Sequence, residues 1–185
     1  MGIGVTLRRI REPDLEMIMR WRMDPEVTRY MNTDPKLTME GQKKWLASIE
    51  SDRSVEYWLI EVKGRPAGVI NLADINWKEG KSSWGYYVAE KDLRSFPLAI
   101  SLEMNLYDYV FDTLGLQEVH GEVFRINRPI LRLHLFCGCH VIEEKKEEVE
   151  KNGIFYDVVH IGITREEWHA FRKGKHYEKI QYNIP

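Results

Sequence analysis

The residues from Ser82 to Phe111, SSWGYYVAEKDLRSFPLAISLEMNLYDYVF, constrain the chain more than any other stretch. The run Ser83 to Val88 alternates as a strand does, with side chains falling on opposite faces. Ala89 to Ser95 is a short polar loop. Pro97 then opens a helix on which Leu98, Leu102, Leu106 and Val110 recur at every fourth position. A strand, a tight loop and a helix start leave the N–H groups of the first helical turn without intrahelical partners, beside the positive end of the helix dipole. Such a turn receives anions, and a diphosphate is its natural guest. Arg94, just before the turn, adds a full charge. A plain strand-to-helix connection has the same pattern, and from this stretch alone both readings stand.

The rest of the chain narrows the class. Its 185 residues suffice for a core and read as one domain, residues 1–185. A net charge of −2 with scattered Lys and Arg argues against nucleic acid as a partner. No run of about 18 apolar residues predicts a membrane span. MGIGVTLRRIREPD acquires charge too early for a signal peptide. Cys137 and Cys139 have no second pair to complete a zinc site, so no metal is expected, and their free state suits a thiol-reducing, cytoplasmic location.

In order, the chain reads as a strand from Val5 to Ile10, a helix from Pro13, and a short helix from Asp24-Pro25 to Tyr30-Met31. A helix capped by Thr38 follows and runs to about Ser51, with Trp45, Leu46 and Ile49 inward. Strands follow at Tyr57–Val62 and Pro66–Ile75, the first ending in a Lys63-Gly64 turn. After the central strand and helix come a strand from Val119 to Phe124 and a helix from Pro129 to Cys137, closed by Gly138. Asn152-Gly153 marks a hairpin between Val141–Val149 and Phe155–Ile163. Thr164 to Glu167 has capping-box spacing for a last helix through Phe171. Three strands joined by tight turns predict an antiparallel meander. The passage from Trp84 to Phe124 predicts a parallel neighbour reached by a right-handed crossover.

Four stretches, WRMDPEVTRYM (21–31), LRSFPLAISLEMNLYDYVFDTLGL (93–116), EVFRINRPILRLHLFCGC (122–139) and FYDVVHIGITREEW (155–168), together resemble the GNAT acetyltransferases. The second is similar to that family's acetyl-CoA loop, Arg/Gln-x-x-Gly-x-Gly/Ala, and the helix after it. The resemblance implies an α+β fold with a central mixed, mostly antiparallel sheet of about seven strands flanked by helices. It implies an N-acetyltransferase with acetyl-CoA as co-substrate and a small-molecule amine as acceptor; a homodimer is compatible with it. Within the family, WR.DPEV..YM, SWGYYV, LYDYVFDTLGL..VHGEV and the histidine in RLHLFCG are most similar to the N-acetyltransferases of pseudaminic acid biosynthesis. Those enzymes acetylate the 4-amino group of a UDP-activated amino sugar. A protein acetyltransferase of the RimJ/RimL type and a non-catalytic GNAT-fold binding protein are the alternatives.

The resemblance also assigns roles. Tyr87 and Val88 match the strand whose backbone N–H holds the thioester carbonyl. Arg94, Ser95, Phe96, Leu98 and Ala99 form the coenzyme A loop and helix start, and Asn127 matches the residue that binds the pantetheine arm. His134, seven residues after Asn127, stands where many relatives have a tyrosine that protonates the sulfur, and a histidine can donate there. The plain alternative is a histidine on the helix surface. Glu122, mid-strand between Val119 and Val123, where an unpaired carboxylate is costly, is a candidate base. Ser83 is a second candidate base or a proton relay. Trp21, Arg22, Tyr30 and Met31 match the acceptor region, with Arg22 suited to a phosphate and an aromatic to uracil. Met23 replaces the asparagine usual after Trp-Arg. Ser95 and Pro97 replace loop glycines, and Pro97 lacks an N–H. One lost charge-assisted bond costs about 1.5–3 kcal/mol, or about 10- to 100-fold in affinity. Leu98, Ala99 and Ile100 are expected to supply the remaining donors.

Overall fold

The computed structural model describes residues 2–183. The alternating runs become strands of one sheet. They are β1 (Val5–Arg9), β2 (Glu56–Val62), β3 (Arg65–Asn76), β4 (Lys81–Val88), β5 (Glu118–Phe124), β6 (His140–Lys151), β7 (Ile154–Thr164) and β8 (Gln181–Asn183). Their order is β6-β7-β5-β4-β3-β2-β1-β8. The contacts β4–β5 and β1–β8 are parallel and the others antiparallel, so the expected mixed sheet and the β2-β3-β4 meander are both present. The sheet has eight strands, not about seven. The additional one, β8, is three residues long and has no apolar alternation to announce it. Side chains of the central helix position it instead: Ile180 donates its N–H to Asn105 Oδ1 (3.1 Å), and Ser101 Oγ and Asn105 Nδ2 donate to Glu178 O (3.0 and 2.8 Å).

The helices are α1 (Leu15–Met23), α2 (Pro25–Thr28), α3 (Met39–Ser51), α4 (Phe96–Asp108), α5 (Arg128–Phe136) and α6 (Arg165–Phe171). A wider π turn, Tyr109–Thr113, continues α4. The two-residue period of the strands divides the core. On β2, Trp58 and Ile60 pack with Leu98, Leu102 and Leu106 of α4 and Trp168 of α6. Leu59, between them, packs with Leu15 and Ile18 of α1 and Leu46 of α3 on the opposite face. The helix starts follow their chemistry. Thr38 Oγ accepts from Gly41 N–H, and Thr164 and Glu167 cap α6 reciprocally. Asn152 and Gly153 take positive φ of 53° and 76° in the expected hairpin turn.

Strand β4 pairs with β5 over only three residues, Lys81–Glu118, Ser82–Val119 and Ser83–His120. Beyond them β4 stays with β3 as far as Val88–Gly68, while β5 stays with β7 as far as Phe124–Val158. The two strands therefore part in a V. Two glycines make room for this. A Cβ on Gly68 would lie 1.9 Å from the Tyr87 carbonyl oxygen, so only glycine lets β3 approach the bent end of β4. A Cβ on Gly121 would lie 3.0 Å from the Trp84 ring, which leans across the start of the gap.

The β6–β7 hairpin runs past the end of β5 and crosses to the N-terminal helices. Lys151 Nζ donates to Thr28 O and pairs with Asp34 (2.8 Å each), and Asn152 Nδ2 donates to Asp34 Oδ2 at 2.7 Å.

Replacing Gly68 by Ala is expected to lower stability by about 1–3 kcal/mol, because the added methyl has no free volume against the Tyr87 carbonyl. Urea denaturation measures this; an unchanged midpoint would show that β4 moves aside without cost.

Candidate active site

The V between β4 and β5 is a cavity of about 620 Å³, walled by Trp84–Val88 on one side and Gly121–Phe124 on the other. The starts of α4 and α5 close its broad end. Strand geometry decides which peptide faces it. The Tyr87 carbonyl lies against Gly68, and Ala89 N–H donates to Ala67 O at 2.7 Å, so the Tyr87 and Ala89 peptides face β3. By alternation Val88 turns its N–H and carbonyl into the gap. Of the two residues expected to offer a backbone N–H there, Val88 does. Tyr87 instead contributes its ring, which lines both this cavity and a second one.

At the mouth, Ser95 caps α4: its Oγ accepts from Leu98 N–H (3.3 Å) and its carbonyl from Ala99 N–H (3.1 Å). The expectation that Leu98 and Ala99 hold donors free for a ligand is therefore corrected. Both donors are engaged by Ser95, and the Leu98 side chain is core. The N–H groups of Ser95 and Phe96 have no partner among the described residues. Arg94 folds back over the end of β4, donating from Nε to Val88 O (2.8 Å) and from Nη2 to Ala89 O (3.2 Å). Phe96 does not plug the cavity. Its ring is 54% exposed and packs on Phe136 at the rim, with centroids 5.4 Å apart.

His134 is not a surface histidine. It is 6% exposed, and its ring meets Trp84 edge to face at 5.5 Å. Nδ1 lies 2.8 Å from Oε2 of Glu103, which is fully buried on α4. The Tyr107 hydroxyl donates to the other oxygen, Oε1, at 2.7 Å and touches Cys139 Sγ at 2.9 Å. His134 Nε2 has no partner among the described residues and is left to the cavity. Burial pushes the hydroxyls of Tyr86 and Tyr107 and the thiols of Cys137 and Cys139 well up, so all four stay protonated at neutral pH. Glu103 is not among the residues that the sequence singles out. The available signal was a carboxylate set inside the apolar stripe of α4, where an unpaired charge is costly.

Asn127 uses its backbone at the start of α5, donating to Phe124 O (2.7 Å) and accepting from Leu131 N–H (3.1 Å). Its side chain makes no hydrogen bond among the described residues and lines the cavity. Glu122 is corrected in its environment. Its side chain is 50% exposed and lies 3.9 Å from His160, so its apolar sequence neighbours do not enclose it. It does sit where the two cavities meet. Ser83 is corrected in its position. Its hydroxyl is 3.1 Å from both Ala73 O and Asp74 Oδ2, in the paired part of β4, and lines neither cavity.

The second cavity, about 540 Å³, lies on the α1–α3 side of β4 and shares Tyr30, Met31, Gly85, Tyr86, Tyr87 and Glu122 with the first. Arg22, Tyr30 and Met31 line it, with Arg22 against the Met31 sulfur. Trp45, Tyr57, Gln42 and Asn71 complete the wall. Trp21 does not reach it. One helical step away from Arg22, its indole donates to Glu90 Oε1 at 3.1 Å, outside both cavities. The hairpin tip at Lys151 is fastened to the segment that carries Tyr30 and Met31. Among the described residues no cluster of His, Cys, Asp and Glu could hold a metal, and no helix is long and apolar enough to cross a membrane.

The candidate site is thus a parallel strand pair opened into a V, with donors of a helix start at its mouth and a histidine on its wall. The chain belongs to the GNAT acetyltransferase family: the profile of the acetyltransferase (GNAT) domain matches residues 5–140. It is an N-acetyltransferase. An uncharacterized N-acetyltransferase of Bacillus subtilis, the prophage-derived YokL, is 25% identical over 90% of this chain and 93% of its own. Acetyltransferase PseH of Campylobacter jejuni is 25% identical over 75% of this chain and 84% of its own. Spermidine N-acetyltransferase of Vibrio cholerae, solved with CoA and spermine, superposes with a TM-score of 0.84 at 20% identity, over 90% of this chain and 98% of that one, and shows the shared fold.

Lys151 and Asn152 hold the Asp34 carboxyl down to about 2. A lowered carboxyl stabilises the tethered form above its ordinary value and ceases to as the pH falls through 2. Replacing Lys151 by Met is expected to raise the Asp34 titration midpoint towards the usual carboxylate value of about 3.9, read from its side-chain carbon resonance.

Proposed function

We propose that this enzyme transfers acetyl from acetyl-CoA to the primary amine of a nucleotide-activated amino sugar. Acetyl-CoA supplies the activated acyl group and a thiolate leaving group. The cleft suits it: Ser95 and Phe96 N–H groups with Arg94 meet the diphosphate, the Asn127 side chain meets the pantetheine arm, and the Val88 N–H meets the thioester oxygen. The proline at position 97 removes one donor from that set, and capping by Ser95 removes another, which lowers affinity without closing the site. His134 Nε2 delivers the proton that the departing sulfur needs.

The acceptor cavity carries the choice of substrate. Its lining holds one cation, Arg22, one carboxylate, Glu122, and the rings of Tyr30, Trp45, Tyr57 and Tyr87. A guanidinium beside aromatic walls fits a nucleoside diphosphate, by forked hydrogen bonds to phosphate and stacking of the base. Glu122, at the junction with the cleft, attracts the amine as its ammonium form, which gives one proton to solvent before the neutral amine attacks. The similarity to PseH and the likeness of residues 21–31 to the pseudaminic acid branch support the same acceptor class. A polyamine, as in the Vibrio cholerae neighbour, carries several positive charges and calls for several carboxylates, where this lining has one. A polypeptide acceptor calls for an open groove, and the tethered hairpin tip narrows this one.

Mass spectrometry of UDP-4-amino sugars, spermidine and peptides incubated with enzyme and acetyl-CoA tests the reading. Acetylation of the sugar nucleotide is expected. Acetylation of spermidine or a peptide alone would overturn it. Replacing Arg22 by Ala is expected to raise the acceptor KM about 10-fold or more with the acetyl-CoA KM unchanged, the size of one lost charge-assisted bond.

A further inference from the structure

We infer that Glu103 is a positioning residue for the reaction: it holds His134 in the Nδ1–H tautomer, so that Nε2 faces the cleft with a lone pair and one imidazole both takes the amine's proton and returns it to the sulfur. The inference rests on the acetyl-transfer reading of the cleft. It starts from the commitments of the carboxylate. Glu103 is fully buried, and among the described residues no Lys or Arg pairs with it. Oxygen Oε1 accepts from the Tyr107 hydroxyl at 2.7 Å, and Oε2 lies 2.8 Å from His134 Nδ1. The carboxyl accepts at Oε1 from the Tyr107 hydroxyl, and Nδ1–H is the donor that faces its other oxygen, Oε2. The other tautomer sets two lone pairs against each other at 2.8 Å.

By hydrogen-bond geometry no other group takes the place of Nδ1 at Oε2: the Tyr86 hydroxyl is unpartnered and the Tyr107 hydroxyl is given to Oε1. Tyr86 from β4, Tyr107 from α4, and Cys137 and Cys139 beyond the end of α5 are all kept protonated by burial. The ring meets Trp84 and Tyr86 in T-shaped contacts, centroids 5.5 and 6.5 Å apart, and the Nδ1–Oε2 contact sets which nitrogen is turned to Glu103. The cleft thus receives an acceptor nitrogen rather than a donor. As the amine nitrogen bonds to the acetyl carbon and the carbon–sulfur bond breaks, one proton leaves the nitrogen for Nε2. The imidazolium, balanced by Glu103, then gives that proton to the thiolate, and the histidine returns to its starting state. Of the two carboxylate or hydroxyl candidates, Ser83 lies outside the cleft and Glu122 is half exposed at its junction with the second cavity.

Nitrogen-15 spectra of histidine-labelled protein report the tautomer directly. The wild type is expected to show His134 with Nδ1 protonated and Nε2 bare near neutral pH. A carboxamide at 103 can serve either tautomer, so Glu103→Gln is expected to mix the two forms and lower kcat by about 10- to 10⁴-fold while KM for both substrates stays within about twofold. Glu103→Asp is expected to recover part of the loss. If Glu103→Gln does not fold, Tyr107→Phe removes one donor and leaves the carboxylate in place, with a smaller fall in kcat expected. A wild-type spectrum with Nε2 protonated, or unchanged turnover in every variant, would overturn the proposal. Failure of the wild type to acetylate any amine would instead overturn the acetyl-transfer reading, and the tautomer spectrum would still decide the placement of Glu103.

Discussion

The parting of β4 from β5 is the constraint on which the rest of the molecule depends. A parallel pair that stayed in register to Val88 would consume the Val88 amide in the sheet and leave no space for a substrate. Because β4 follows β3 instead, held there by a backbone contact that only Gly68 permits, the sheet gives up several interstrand bonds in its interior. Arg94 makes good part of that deficit, since its guanidinium takes the carbonyls of Val88 and Ala89 at the end of the strand. The same opening lets the ring of Trp84 lean over Gly121 and brings His134 of α5 to the wall. One backbone divergence therefore produces the cavity, its donor and its titratable group together.

Much of this was legible because local and tertiary preferences agree. The turn residues, the caps Thr38 and Thr164, the meander and the parallel crossover all appear where the pattern puts them. What was not legible depended on neighbours distant in sequence. Trp21 and Arg22 look alike as candidates in a motif, but one step along α1 turns them to different surroundings. Glu122 lies between two apolar residues in sequence, yet the gap beside β5 leaves its side chain in water. Ser83 lies on the right strand but in its paired half. The donor of Leu98 is taken by the hydroxyl of Ser95, the residue that replaces a loop glycine, while that of Ala99 goes to the Ser95 backbone carbonyl as in any helix start.

Glu103 is the clearest case of a residue whose meaning comes only from packing. In sequence it is one charge in an apolar stripe, which a solvated kink or an ion pair would explain as readily. In space it stands 31 positions from the histidine it contacts, with Tyr107 one turn further along the same helix taking its second oxygen. A buried carboxylate with two neutral partners costs stability relative to an apolar residue of the same shape. Its presence fits a group kept for what it does to the imidazole rather than for the fold.

The long hairpin has a consequence for how acceptor preference changes among chains of this fold. Its tip fastens Asp34 and Thr28 from outside the sheet, so the outer wall of the acceptor cavity is set by the reach of two strands and not by the residues around the reacting centre. Shortening those strands by one pair would remove the Lys151 and Asn152 contacts that hold this wall, while the contacts around His134 on α5, which involve neither residue, would remain.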